Sequence, residues 1–226
     1  MILATIAALA TGLGQPTADG RHLIFDGRDL AGWHFSLTSA HGSTGNARVE
    51  DGAIVLRQRP YGQGGLLMTD KRYRNFDLYL EALAPPGCNS GIFLRSTETG
   101  WAYQIELVEG LLGNGTGALI GEGLRISDPV RAPDLKDIWR PGEWNSFRIR
   151  MEGDAPHVTL WVNGVQVWDV QQTANMQVAG ETDGHIGLQL HWGSTYQPDL
   201  SGPGIGPTWK PGGAIRFRNI AVRELP

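Results

Sequence analysis

Residues 157–170 read "HVTLWVNGVQVWDV". Two runs rich in β-branched and aromatic residues meet at Asn163-Gly164. Asn-Gly tolerates positive φ at both central positions, which a two-residue hairpin turn demands. The stretch therefore predicts two antiparallel strands joined by a tight turn. The same pattern recurs outward in both directions. "ARVEDGAIVLRQ" (47–58) turns at Asp51-Gly52. "FDLYLEA" (76–82) alternates Phe76, Leu78, Leu80 and Ala82 with Asp77, Tyr79 and Glu81. "SGIFLRS" (90–96), "WAYQIELVE" (101–109), "NSFRIRME" (145–152) and "AIRFRNIAVREL" (214–225) extend the series. Helical periodicity is absent beyond single turns at "APDLKDIW" (132–139) and "QQTANM" (171–176). Many short strands with turn signals between them predict an all-β sandwich or barrel. No internal repeat is visible, which argues against a propeller or solenoid.

The chain has 226 residues, 41% hydrophobic and 19% charged, enough for one domain with a sizeable core. Its formal net charge of −4 argues against a nucleic-acid partner. The single cysteine, Cys88, excludes an intramolecular disulfide and reads as a small buried hydrophobe. Residues 1–20, "MILATIAALATGLGQPTADG", are apolar and then small and polar. That segment is too short to span a membrane as a helix. It reads as a signal or N-terminal segment, with Ala8-Leu9-Ala10 as a cleavage candidate although a positive n-region is missing, ahead of one β-sandwich domain at 21–226. A periplasmic or secreted location is expected on that basis.

The stretch 184–193, "GHIGLQLHWG", raises the functional question. Ile186, Leu188 and Leu190 mark one buried face of a strand, and His185, Gly187, Gln189 and His191 mark the other. In "SGIFLRS", Gly91, Phe93 and Arg95 share a face. In "WAYQIELVE", Gln104 and Glu106 face opposite to Tyr103 and Ile105. Three strands thus offer a cation (Arg95), a carboxylate (Glu106), an imidazole (His191) and two amides (Gln104, Gln189). Such a set suits the fixed donors and acceptors of a polyhydroxylated ligand. A half-exposed antiparallel sheet shows the same alternation without any ligand, so periodicity leaves both readings open. The segments 110–144 and 193–213 are long and poor in strand signal, and loops of that length are commonly functional.

Other chemistries lack their motifs. H-E-x-x-H, C-x-x-C and P-loop patterns are absent, and "GLLGNGTGALIG" (110–121) does not follow the dinucleotide fingerprint. No metal ligand set is marked by local spacing. A divalent ion held by Glu106, His191 and a loop carboxylate, Glu109 or Asp128, is the open alternative, with no other cofactor expected. No G-x-S-x-G element is present, and Asn114-Gly115-Thr116 fits a glycosylation sequon.

Seven stretches, in order, resemble one family. They are "LIFDGRDLAGWH" (23–34), "NSGIFLR" (89–95), "YQIEL" (103–107), "PGEWNSFRI" (141–149), "VNGV" (162–165), "GHIGLQ" (184–189) and "FRNIAVREL" (217–225). The chain resembles the 3-keto-disaccharide hydrolase family, also described as 3-keto-glycoside lyase/hydratase domains, over about residues 22–225. The resemblance implies a concanavalin-like jelly-roll sandwich of two antiparallel sheets, one of them concave and carrying the site. It implies a sugar substrate already oxidised to a ketone at C3. Carried over by motif, Asn89, Ser90, Tyr103, Gln104 and Gln189 are implied substrate-binding residues, joined by Trp192. Arg95, Glu106 and His191 are the implied catalytic set. Many members read Y-E-x-Q where this chain has Tyr103-Gln104-Ile105-Glu106, which moves the carboxylate about 7 Å along the same face.

A C3 ketone acidifies the hydrogen on C2. Its removal gives an enolate that expels the C1 substituent, and water then adds to the unsaturated sugar. The route needs a base at C2, an electrophile at the C3 oxygen and an acid for the leaving group. The expectation makes Glu106 or His191 the base, the other of the pair the acid, and places Arg95 or a bound metal at the enolate oxygen. A non-catalytic carbohydrate-binding module on the same fold is the alternative, since fold does not decide function.

Overall fold

A computed structural model of the chain describes residues 19–43, 46–59, 63–85, 87–108, 115–191 and 213–226. The described residues form fourteen strands and one 3-10 turn, Val178–Gly180. They hold no helix long and apolar enough to cross a membrane. Of the single helical turns expected at 132–139 and 171–176, the first forms only a turn at 136–138 and the second a bend after Gln171, the last residue of a strand.

The first sheet holds β3 (Asn46–Glu50), β4 (Ala53–Arg57), β6 (Phe76–Leu83), β10 (Asn145–Glu152), β11 (His157–Val162), β12 (Val165–Gln171) and β14 (Ala214–Glu224). Their order is β12-β11-β10-β6-β14-β4-β3, with the two-residue β1 (His22–Leu23) beside β14. The second sheet runs β2 (Trp33–Phe35), β5 (Gly65–Tyr73), β13 (Gly184–Leu190), β7 (Asn89–Ser96), β8 (Ala102–Val108) and β9 (Leu119–Glu122). Every pairing is antiparallel. The expected two-sheet β-sandwich is the fold.

Alternation explains how the layers close. Leu78 and Leu80 of β6, Phe147 and Ile149 of β10 and Phe217 of β14 meet Ile92 and Leu94 of β7, Tyr103 and Ile105 of β8 and Ile186 and Leu188 of β13 in one buried cluster. Each such side chain stabilises the sandwich by about 1.5–3 kcal/mol through area removed from water. Cys88 is a free, buried member of the same core. At the chain's start, the Trp33 indole donates to the Ile24 carbonyl at 2.8 Å. The Asp26 and Asp29 carboxylates accept from the amides two residues on. "LIFDGRDLAGWH" is therefore turn chemistry.

Both expected hairpins form. Asp51 and Gly52 have φ of 50° and 74°, and Asn163 and Gly164 of 49° and 82°. Positive φ at both central residues matches the twist of the flanking strands. Asn163 does more than turn. Its Oδ1 accepts from the Ser146 amide (2.9 Å), and its Nδ2 donates to Ile138 O (2.6 Å) and Asn145 Oδ1 (2.7 Å). Asn145 in turn binds both the amide and the carbonyl of Arg140. The motifs "PGEWNSFRI" and "VNGV" thus join in one buried amide network that fixes the entry to β10.

Asn163→Ala removes those side-chain bonds and the residue type that accepts positive φ. It is expected to cost about 2–3 kcal/mol, lowering the melting temperature by roughly 5–10 °C for a domain of this size. Thermal denaturation checks this, and a change within about 1 °C would show that the network carries no stability.

Candidate active site

On β8, Tyr103, Ile105 and Leu107 face the core. Ala102, Gln104 and Glu106 therefore face outward. On β13 the same alternation turns Gly187 and Gln189 outward. Leu66 and Met68 of β5, Phe93 of β7 and Ala102 form a small apolar cluster of their own on this outward face. Gly91 of β7 pairs with Glu106, and Phe93 with Gln104 and with Gly187. Continuing that register puts Gln189 on the other side of Gly91 from Glu106, about 10 Å away across two inter-strand spacings.

Gly91 is the space between them. A β-carbon at 91 would overlap the Gln104 amide. Because none is present, Gln104 leans over Gly91 and its Nε2 donates to Gln189 Oε1 at 3.4 Å. Gln189 Nε2 lies 3.1 Å from His41 Nδ1 and 3.3 Å from Nε2, and His41 Nε2 lies 3.5 Å from Glu122 Oε1. A chain of polar contacts thus crosses the sheet face from β8 to β9 by way of β13 and the segment after β2. Gln104, Glu106, Gln189 and His41 are all buried, Gln189 completely. Hydrogen bonds in such surroundings are strengthened, and an unpaired group there is costly. Gln104 Oε1 is one such group: buried, and without a partner among the described residues.

His191 follows β13, with its ring 5.7 Å from that of His41. The His41 ring also meets Phe93 edge-on at 5.5 Å. Burial first, and then the neighbouring His41, push the His191 pKa down to about 4, against an opposing pull from Glu122. His191 is consequently an uncharged imidazole at neutral pH.

The structure brings Gln104, Glu106, Gln189 and His191 to one face of one sheet. It does not bring Arg95 there. Gly187 pairs with Phe93, but His185 pairs with Ser96. Leu94 and Arg95 thus stand against Ile186 alone, in a β-bulge. Arg95 has φ of 51° and is fully buried. Its Nε donates to Arg74 O at 2.8 Å, and its Nη2 to Gly153 O at 2.8 Å and Asn75 Oδ1 at 3.3 Å. Burial pulls its pKa down to about 10. The expectation that Arg95 holds an enolate oxygen is corrected: the bulge resets the alternation, and the guanidinium ties two turns together. Gly184 lies so close to this bulge that a β-carbon would overlap the Arg95 backbone, which accounts for the first glycine of "GHIGLQ".

Two other expected contacts are also corrected. Tyr103 belongs to the core, with its hydroxyl accepting from the Met176 amide at 3.4 Å. Ser90 is buried and donates to the Gln189 carbonyl at 2.6 Å, positioning that strand without facing a ligand. Asn89 lies on the site face by alternation, paired with Val108. Trp192 and Glu109 fall outside the described residues, as do 109–114 and 192–212 of the two long segments. Asp128, the other loop carboxylate offered for a metal, takes the Thr173 amide at 2.7 Å beyond the end of β12.

His41 and Glu122 were not foreseen. Glu122 ends β9, a strand within the long segment that is poor in strand signal, and pairs with Ala102. The only signal was the short "ALIGE" run. His41 lies in a segment without periodicity, held by the Ser39 hydroxyl and by Ser36 bonds to the Glu98 carbonyl. Beside Glu122, Trp101 is 45% exposed, and its ring lies where a β-carbon on Gly123 would be.

A model of the 3-keto-alpha-glucoside-1,2-lyase-like domain family matches residues 20–223. No curated protein matches the chain. Among solved structures, one from Parabacteroides distasonis ATCC 8503, described as a "putative glycosyl hydrolase", superposes with a TM-score of 0.64 at 21% identity, covering 92% of this chain and 95% of that one. A second from the same organism, described in the same words, gives 0.56 at 21% identity, covering 88% and 96%. A Bacillus subtilis protein with a galectin-like fold gives 0.50 at 13% identity, covering 86% and 90%. At these identities the structural matches establish the jelly-roll fold alone.

The lowered His191 pKa makes a linked prediction. As pH falls below 6.5, the unfolded imidazole takes a proton that the folded one refuses until about 4. Folding stability should fall across that window, by on the order of 3 kcal/mol. The His191 ring signals in an NMR titration should show a midpoint near 4, and His191→Gln should flatten the stability slope. A midpoint near 6.5 would contradict the enclosure of this side chain.

Proposed function

The chain belongs to the 3-keto-alpha-glucoside-1,2-lyase-like domain family, and from that premise and the site geometry we propose that it cleaves 3-keto-glycosides by C2 proton abstraction, C1 elimination and hydration. The coarser conclusion, a carbohydrate-active protein, follows from the family. The observation that carries the finer one is the enclosed polar row over Gly91. Glu106 and Gln104 approach it from β8 and Gln189 from β13, with His191 beyond. Within the row, Gln104 Oε1 is a buried acceptor that a sugar hydroxyl would satisfy.

Roles follow from charge and placement. Glu106 takes the C2 proton, and the electron pair moves onto the C3 oxygen. His191, held neutral, is suited to donate a hydrogen bond to that oxygen as an uncharged electrophile, because a donor of low charge stabilises the enolate without binding a bulk anion. This replaces the proton-transfer role expected of it, since an imidazole with a pKa of about 4 keeps only its one N–H at neutral pH, is not the cationic acid, and is a weak base. The proton on Glu106 then passes to the leaving oxygen as the C1–O bond breaks. Water adds across C1 and C2 to close the cycle. Gln104, Gln189 and His41 hold the ring hydroxyls and one another, with Glu122 at the end of their contact chain. The exposed Trp101 ring beside Glu122 offers a stacking surface for a pyranose face.

Aglycone release should occur from a 3-keto-glucoside and not from the unoxidised parent. Glu106→Gln keeps shape but removes basicity, and should lower the rate about 10²–10⁴-fold. His191→Ala should cost roughly 10²–10³-fold, the cost of losing one oxyanion donor. That loss should be the same for nitrophenyl and alkyl aglycones, because the enolate forms before the leaving group matters. A His191→Ala loss confined to poor leaving groups would return His191 to the acid role. Tight binding of unmodified glycan with no turnover of any 3-keto-glycoside would make the protein a binding module.

A further inference from the structure

The outward face of the first sheet, on the opposite side of the sandwich from Glu106, holds a cavity of about 460 Å³. Its walls include Arg21, Tyr79, Ser146, Arg148, Trp161 and Arg223. Register explains the grouping: Arg148 of β10 pairs with Tyr79 of β6 on one side and with Trp161 of β11 on the other. Directly paired residues share a face of the sheet.

Three guanidinium groups converge on one fully buried carboxylate, Asp77. Asp77 Oδ1 accepts from Arg148 Nε (3.0 Å) and Arg21 Nη2 (2.7 Å), and Oδ2 from Arg148 Nη2 (2.8 Å) and Arg223 Nη2 (3.1 Å). The bidentate Arg148 alone would neutralise Asp77. Asp19 takes an arm of Arg21, so the group carries one positive charge in excess. Arg148 is preorganised by stacking, with its guanidinium carbon 4.4 Å from the Trp161 ring centroid. Arg223 Nε is buried and lacks a partner among the described residues. Arg148 and Arg223 remain 37% and 42% exposed. Charge excess, a preorganised cation and an unspent buried donor all favour an anion.

The cavity's size narrows its class. Liquid water takes about 30 Å³ per molecule, so an inorganic oxyanion would leave most of this volume empty. The remaining walls are Gly164, the Asp19 carboxylate already engaged by Arg21, a serine hydroxyl and the tyrosine and tryptophan rings; the hydroxyl and the rings suit the hydroxyls and C–H faces of a sugar. We propose that this cavity binds a carboxylated sugar residue, a hexuronate unit, at a site separate from the Glu106 face. Its carboxylate meets Arg223 and Arg148, and its hydroxyls meet Ser146 and Tyr79.

Calorimetric titration of the full chain with trigalacturonate, with the matching neutral galactose trisaccharide and with sodium sulfate at constant ionic strength tests this. Trigalacturonate should bind, the neutral sugar should bind at least about tenfold more weakly, and sulfate should not compete at equal concentration. Arg223→Gln should weaken trigalacturonate binding about tenfold or more, with partial recovery in Arg223→Lys. Ser146→Tyr, which fills the cavity and leaves the arginines in place, should abolish binding. Neither variant should alter turnover of a 3-keto-glucoside, so failure here is distinguishable from failure of the lyase reading. The proposal is overturned if trigalacturonate does not bind, if sulfate binds equally well, or if binding survives both Arg223→Gln and Ser146→Tyr.

Discussion

The β-bulge at Arg95 is the constraint on which the arrangement of both faces depends. Strand alternation would carry the guanidinium outward with Gly91 and Phe93. The extra residue opposite Ile186 breaks that alternation, and a φ of 51° sends the side chain inward. There it reaches the carbonyls of Arg74 and Gly153, at two separate turns. A buried guanidinium with these acceptors is costly to disturb, because removing it strands several carbonyls at once. The opposite neighbour of β13 is irregular at the same level: Thr69 Oγ1 accepts the Ile186 amide and the Thr69 carbonyl meets His185 Nδ1. Beyond this level the pairing becomes regular: Gly187 comes into register with Phe93 and Gln104, and Gln189 with Gly91 and Glu106.

The fold was legible because period two and the two turn dipeptides are local properties. Asn163-Gly164 and Asp51-Gly52 each need only their own backbone to specify a hairpin. Glu106, Gln104 and Gln189 were legible as neighbours for the same reason: their strands are regular where they lie. Arg95 was misread because a bulge is set by tertiary packing, and its one trace in the sequence, Gly184 opposite, acquires meaning only once the strands are paired. Ser90 and Tyr103 came from the family motif, whose residues serve the strand and the core as much as the ligand. His41 could not be seen because its segment has no periodicity and is fixed by contacts with Glu98 and Gln189 far away in sequence; Glu122 could not because β9, which pairs it with Ala102, is too short to stand out from the long segment around it. Trp192 lies outside the described residues.

The corrected site changes the chemistry more than the residue list. With Arg95 removed, no fixed cation faces the sugar ring among the described residues assembled over Gly91. Stabilisation of an enolate then rests on neutral donors: the His191 ring and the glutamine amides, packed on Leu66, Met68 and Phe93. Such donors are effective where water is scarce and their positions are fixed in advance. The contact chain from Gln104 through Gln189 and His41 to Glu122 supplies that fixity, and Gly91 supplies the room. The arginines are placed elsewhere, around Asp77 on the other sheet, where the environment suits an anion that persists.

The central claim is that the C2–H bond breaks during turnover. Running the reaction on a 3-keto-glucoside in deuterated water and reading the product by NMR tests it directly, after subtracting spontaneous exchange beside the ketone in the Glu106→Gln variant. Elimination followed by hydration places one deuterium on C2 of every product molecule. Product formed at the full rate with C2 unlabelled would mean displacement at C1, and would contradict the account.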